Sequence, residues 1–194
     1  MSKSDPAASK KERNKAVRWV VTIFIVTIFI SGTISLLSDI IMENSSVAVA
    51  FLILLAIILI GIIFDIIGMA VASADEKPFH SMAARKVPGA QESIALLRNA
   101  ERVSSICNDV VGDICGVVSG SASATIAVQI ISNFDFSWPQ IVSLAMSALA
   151  AGLTVGGKAI GKSFAVNSST VIVHTVGKCI HWLHGLSRGK KKTK

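Results

Sequence analysis

Two stretches of this 194-residue chain, 38–46 and 132–140, contain no lysine or arginine, although the chain carries nineteen such residues. Charge of any sign is scarce, at 16%, while 52% of residues are hydrophobic. That balance excludes an ordinary soluble domain of this length. Cysteine is also sparse. Cys107, Cys115 and Cys179 match no zinc spacing and lie in or below a membrane on its reducing side, so they are read as apolar fillers, not a disulfide framework. No A-x-A cleavage site follows the apolar run 19–37, and its nineteen residues exceed a secretory h-region, so it reads as a retained signal-anchor helix. The net charge of +7 comes without aromatic–basic interleaving or a reader module, which argues against nucleic acid. No Ser-His-Asp or Cys-His constellation has credible geometry, so an enzyme is not expected.

What the chain does contain is four apolar runs: 19–37, 47–72, 110–131 and 141–156. Threading a bilayer four times sorts the connections into two sets. Segments 1–18, 73–105 and 157–194 carry six, five and eight basic residues, whereas the other two connections carry only Asp39, Glu43 and Asp135. Because Lys and Arg resist translocation, both termini are placed in the cytoplasm. The plasma membrane is the expected location, with anionic lipid contacts for the basic ends. The predicted fold is an all-α integral membrane protein with four transmembrane helices, a cytoplasmic helical hairpin and a C-terminal interfacial amphipathic helix.

The run 19–37 holds no ionisable residue and reads as lipid-facing. The run 47–72 is longer than the roughly 20 residues a span requires, and it contains Asp65. In the hairpin, Pro88-Gly89 breaks the chain before an apolar face of Ile94, Leu97 and Val103. The third run repeats Gly112, Gly116, Gly120 and Ala124 every four residues, a ridge suited to close helix packing within a bundle or homodimer. Segment 166–186 places Ile172, Val176, Ile180 and Leu183 on one side and His174, Lys178 and His181 on the other, with Trp182 near the headgroups. Segment 156–163 satisfies G-x-x-x-x-G-K-[ST], but it follows a membrane run, not a buried strand, and reads as a chance match. His181-x-x-His184 supplies only two ligands and makes an incomplete metal site.

Asp65, Asp109 and Asp113 carry the chemistry of the chain, since a carboxylate in a membrane is costly unless paired, hydrated or metal-bound. Asp65 lies seven residues before the end of its run, about 10 Å in, and Asp113 is placed at a similar depth on the next helix. Asp109 shares the Asp113 face by its four-residue spacing and also suits a helix N-terminus. Asn108 and the hydroxyls of Ser104 and Ser105 are close in sequence. An all-oxygen set without thiolate or imidazole suits a hard cation such as Mg²⁺.

Several of these residues resemble motifs of the cyclin-M/CorC/CorB family of membrane proteins associated with Mg²⁺ efflux. Asp65-Ile66-Ile67-Gly68-Met69-Ala70 and then Ser73 occupy the place of the family's S-G-S-E-T-A-like helix end. Gly112-Asp113 followed by Gly120-Ser121-Ala122-Ser123-Ala124-Thr125 resembles its G-N and small-residue run. Gly157-Lys158-Ala159-Ile160-Gly161-Lys162 aligns with its G-E-I-x-P-K. The resemblance spans 47–186, as three core helices, and leaves 19–37 as an addition between basic tails 1–18 and 187–194. It implies a homodimer and a partly dehydrated Mg²⁺. At the matching positions this chain has Asp65 for Ser, Asp113 for Asn and Lys158 for Glu, and the family's cytoplasmic CBS pair has no counterpart before Lys194.

The function expected from these residues is divalent-cation transport or binding, with Mg²⁺ as substrate, at a cytosol-facing site of Asp65 and Asp113. Asp109, Asn108 and Ser105 are further contributors. The competing reading is a non-transporting scaffold or accessory subunit in which the Lys158 ammonium replaces the metal, partnered by a separate regulatory subunit. The Lys158-to-carboxylate distances discriminate between the two.

Overall fold

The computed structural model describes residues 6–43, 45–133 and 138–189, with side chains described over 17–42, 45–133 and 138–185. Asp135, the Glu43 side chain and the end of the lysine-rich tail lie outside those residues. Within them every regular element is helical. The elements are α1 (Pro6–Glu43), α2 (Val47–Ser73), α3 (Lys77–Ala84), α4 (Ala90–Arg98), α5 (Ala100–Ser105), a π-helical turn (Ile106–Gly112), α6 (Asp113–Asn133), α7 (Pro139–Asn167) and α8 (Ser169–Gly189).

Four helices are long and apolar enough to cross a bilayer: Val17–Met42, Val47–Ser73, Ala100–Asn133 and Pro139–Asn167. The chain is therefore a multi-pass membrane protein. The helices outrun their apolar cores. α1 continues past Leu37 through the expected connection, and α7 continues past Gly156 through the phosphate-loop-like segment. Polar residues do not end a helix whose backbone is already hydrogen-bonded; proline or a cap does. α7 begins with Pro139 at its first position, where the missing N–H costs nothing.

Packing contacts fix the relative directions. Arg102 stacks over Trp19 at 5.6 Å, Ser121 and Thr125 meet Asp39, and Gln129 bonds Met42. Each pair is separated by 82 to 87 positions, so α1 runs parallel to the α5–α6 rod. Ile62 abuts Gly157 and Ile66 abuts Gly161, so α2 and α7 are also parallel. Gly61 faces Cys115 while Gly68 faces Asn108, which makes α2 and α6 antiparallel. Those directions are what four successive crossings require.

Two apolar cores lie at opposite ends. Near the α1–α2 connection, Met42, Leu54, Ile58, Ala122 and Ile126 pack together. At the other end, Phe79 of α3 packs against Ala70, Val71, Ala165 and Val173. There Pro88-Gly89 breaks the chain as the sequence predicts, with Gly89 at φ 85°, a left-handed conformation that favours glycine. Gly177 of α8 lies directly against Ser93 and Gly89, and the Ser93 hydroxyl, which donates to the Gly89 carbonyl at 2.8 Å, lies 3.2 Å from the Val173 carbonyl. α8 is thus docked on α4 through Val173 and Gly177. Its outward face presents Val171, Lys178, Cys179 and Trp182, a different division from the two-sided pattern read along the sequence.

Candidate functional site: a lysine-clamped carboxylate in the bundle

Between the two apolar cores lies a thin polar layer. On α2, Ile58, Gly61, Asp65 and Gly68 are buried on one face, spaced three and four residues apart. The glycines let neighbouring backbone come close. A methyl at Gly61 would sit 2.8 Å from Cys115 Cβ, and one at Gly68 would collide with the Asn108 carboxamide. On the opposite side, Gly157 and Gly161 receive the Ile62 and Ile66 side chains, which draws α7 in and brings Lys158 into the same layer.

Lys158 Nζ lies 3.8 Å from Asp65 Oδ1 and 3.5 Å from the Gly112 carbonyl oxygen. Asp65 is 6% exposed, so its carboxylate has left water for a single cationic neighbour. The layer is not saturated. Asp65 Oδ2 and Asn108 Oδ1 are both buried without a hydrogen-bond partner, while Asn108 Nδ2 donates to Ser104 Oγ at 3.2 Å.

The other site residues read from the sequence are placed differently. Asp113 is exposed at the start of α6, and Asp109 is exposed in the π turn. Neither side chain makes a hydrogen bond or ion pair among the described residues. Ser105 is half-buried and also makes no side-chain hydrogen bond there. The depth expected for Asp113 is nearly right, since Gly112 is the residue opposite Asp65. The direction is not. The i→i+5 bonding of Ile106–Gly112 spends an extra residue per turn and rotates the face that meets α2, so Gly112 faces inward and Asp113 outward. Asp109 does not cap a helix either, because the rod begins at Ala100, well before it. Among the described residues no three His, Cys, Asp or Glu side chains are grouped to hold one metal ion.

The glycine ridge is divided in the same way. Gly112 is filled from inside by Lys158 and Asp65. At Gly116 and Gly120 an added methyl would meet open space, and both border a cavity of about 190 Å³ with Ser147, Ala151 and Thr154 of α7.

One polar contact has no counterpart in the sequence expectations. Asp39, expected in a loop, accepts hydrogen bonds from Ser121 and Thr125 of α6. Gln129 Nε2, one turn further, donates to the Met42 carbonyl at 2.6 Å. The signal is present as Ser121, Thr125 and Gln129, a polar stripe every four residues along α6, which also carries Ser119 and Ser123 on another face. Outside the spans, His181 Nδ1 lies 2.7 Å from Glu92 Oε1, and the resulting hydrogen bond holds the Glu92 carboxyl below its ordinary value. No family model matches the chain, and neither the curated proteins nor the solved structures contain a match to it.

Proposed function

We propose that this chain is a membrane-embedded scaffold or accessory subunit whose intramembrane carboxylate is neutralised by its own lysine. The observation that carries the reading is the 3.8 Å approach of Lys158 Nζ to Asp65 Oδ1. A tethered ammonium supplies the positive charge that a bound cation would otherwise bring, and it cannot leave. In this reading both termini are cytoplasmic, because segments 1–18, 73–105 and 157–194 hold all the basic residues. α8 lies along the cytosolic surface with Trp182 at headgroup level, the basic tails touch anionic lipid, and the membrane is the plasma membrane. The open small-residue face at Gly116 and Gly120 supports a homodimer or a contact with a separate regulatory subunit.

A second reading keeps Mg²⁺ as a transported or bound substrate, in line with the resemblance to the cyclin-M/CorC/CorB family. It is favoured by the two buried acceptors that lack partners, Asp65 Oδ2 and Asn108 Oδ1, which are free to take a cation or its water. Mg²⁺ flux into vesicles containing the purified chain separates the two. The scaffold reading expects the same background flux from wild type, Asp65→Ala and Asp113→Ala. Wild-type flux that disappears in Asp65→Ala would overturn it.

A further inference from the structure

Among the described residues, Asp65 and Asp39 are carboxylates of the membrane-crossing helices with side-chain partners, and of these two Asp65 alone has a counter-charge. Asp65 has Lys158. Asp39 makes no ion pair among the described residues, and its neighbours there are hydroxyls. Asp39 lies within the apolar segment Val17–Met42, four residues before α1 ends, and it meets Ser121 and Thr125 within the apolar segment Ala100–Asn133. An uncompensated carboxylate in a membrane-crossing segment is costly and marks an ion site or relay.

The spacing of the oxygens is informative. Ser121 Oγ is 3.4 Å from Asp39 Oδ1 and 3.5 Å from Oδ2, and Thr125 Oγ1 is 3.2 Å from Oδ1. A hydroxyl bonded directly to a carboxylate closes to about 2.5–2.7 Å. Neighbouring ligands at right angles around a cation with 2.3–2.6 Å bonds lie about 3.3–3.7 Å apart, whereas the shorter Mg²⁺ bonds bring them to about 2.8–3.0 Å. One turn along the same stripe, Gln129 Oε1 is buried with no partner.

We infer that Asp39, Ser121 and Thr125 form a binding site for a partly dehydrated monovalent cation of sodium size, at the α1–α6 interface and on the far side of the bilayer from the basic hairpin. A single carboxylate balances one positive charge, which selects a monovalent ion over Ca²⁺ of similar bond length. With the ion bound, α1 is tied to α6 along its last turns.

The test is the thermal unfolding midpoint of the full chain in neutral-lipid nanodiscs, at fixed pH and ionic strength, with choline chloride exchanged for sodium chloride. A saturable rise with sodium is expected, with loss of the rise in Asp39→Asn and weakening in Ser121→Ala and Thr125→Val. Helix content and elution volume identify variants that fold, and the wild-type comparison stands without them. Equal midpoints in sodium and choline would overturn the site. So would an unchanged sodium effect in a folded Asp39→Asn, a response to calcium alone, or a rise on acidification with no sodium dependence.

Discussion

Lys158 of α7 and Asp65 of α2 face each other between parallel helices, 3.8 Å apart, with the ammonium also directed at the Gly112 carbonyl of the π turn. The three elements meet there because glycines at 61, 68, 112, 157 and 161 remove the side chains that would hold them apart. A charge pair at this place costs desolvation of both ions, so its worth lies in the penalty for breaking it.

Removing one partner strands the other. Lys158→Ala leaves Asp65 buried and unpaired, and the expected loss is about 3–5 kcal/mol. Replacing both residues, as Asp65→Leu with Lys158→Met, should cost less than the sum of the single changes. Reversible unfolding in mixed micelles, analysed as a double-mutant cycle, measures the difference. Additive effects would show that the pair does not act as a unit.

The glycines divide into two classes with opposite outcomes. Gly61→Ala and Gly161→Ala press a methyl to 2.8 Å from Cys115 Cβ and 2.7 Å from Ile66 Cγ1, so each should destabilise by about 1–3 kcal/mol. Gly116→Ala and Gly120→Ala meet open space and should stay within about 0.5 kcal/mol of wild type. Comparing unfolding of the four variants checks this. If the open face docks a second copy, Gly116→Leu will reduce cross-linked dimer without lowering the stability of the monomer.

Acid should loosen α8 from α4. Glu92 is held below its ordinary 4.5, chiefly by the hydrogen bond to His181, so its contribution is complete above 4.5 and vanishes as pH falls through the lowered value. His174 is held below its ordinary 6.5 by burial and then by Lys178, so its contribution is complete above 6.5 and also declines as pH falls through its lowered value. The mobility of a spin label at Gly185, followed from about pH 7 to about pH 4, should rise in two stages. Glu92→Gln should remove the lower stage and His174→Gln the upper.

Orientation is open to a direct measurement. A cysteine at Ser45, between α1 and α2, should react with a membrane-impermeant maleimide added to intact cells, in a background lacking Cys107, Cys115 and Cys179. Labelling only after the cells are opened would reverse the topology inferred from the basic segments.

The all-helical character and the four crossings are legible in the sequence because apolar length and the absence of lysine from two connections are one-dimensional signals, set by bilayer thickness and the cost of moving charge. The break at Gly89 is legible for a similar reason, since proline followed by glycine constrains the backbone locally. Helix ends at Glu43 and Asn167 are not, because hydropathy marks where a helix leaves oil and not where its hydrogen bonds stop.

Side-chain direction belongs to the tertiary structure. Counting residues places Asp113 and Asp65 at one depth, yet the π turn faces Asp113 outward and leaves Gly112 opposite Asp65. Counting assumes 3.6 residues per turn, and one wider turn suffices to break that assumption. Along the chain Lys158 is one more basic residue near a helix end; Gly157 and Gly161 admit Ile62 and Ile66 and so bring it against Asp65. Asp39 reads as a loop acid until α1 aligns beside α6. Which segments cross a membrane follows from the chain's composition along its length, but which charges meet depends on helix rotation and register, and those are decided only when the helices pack.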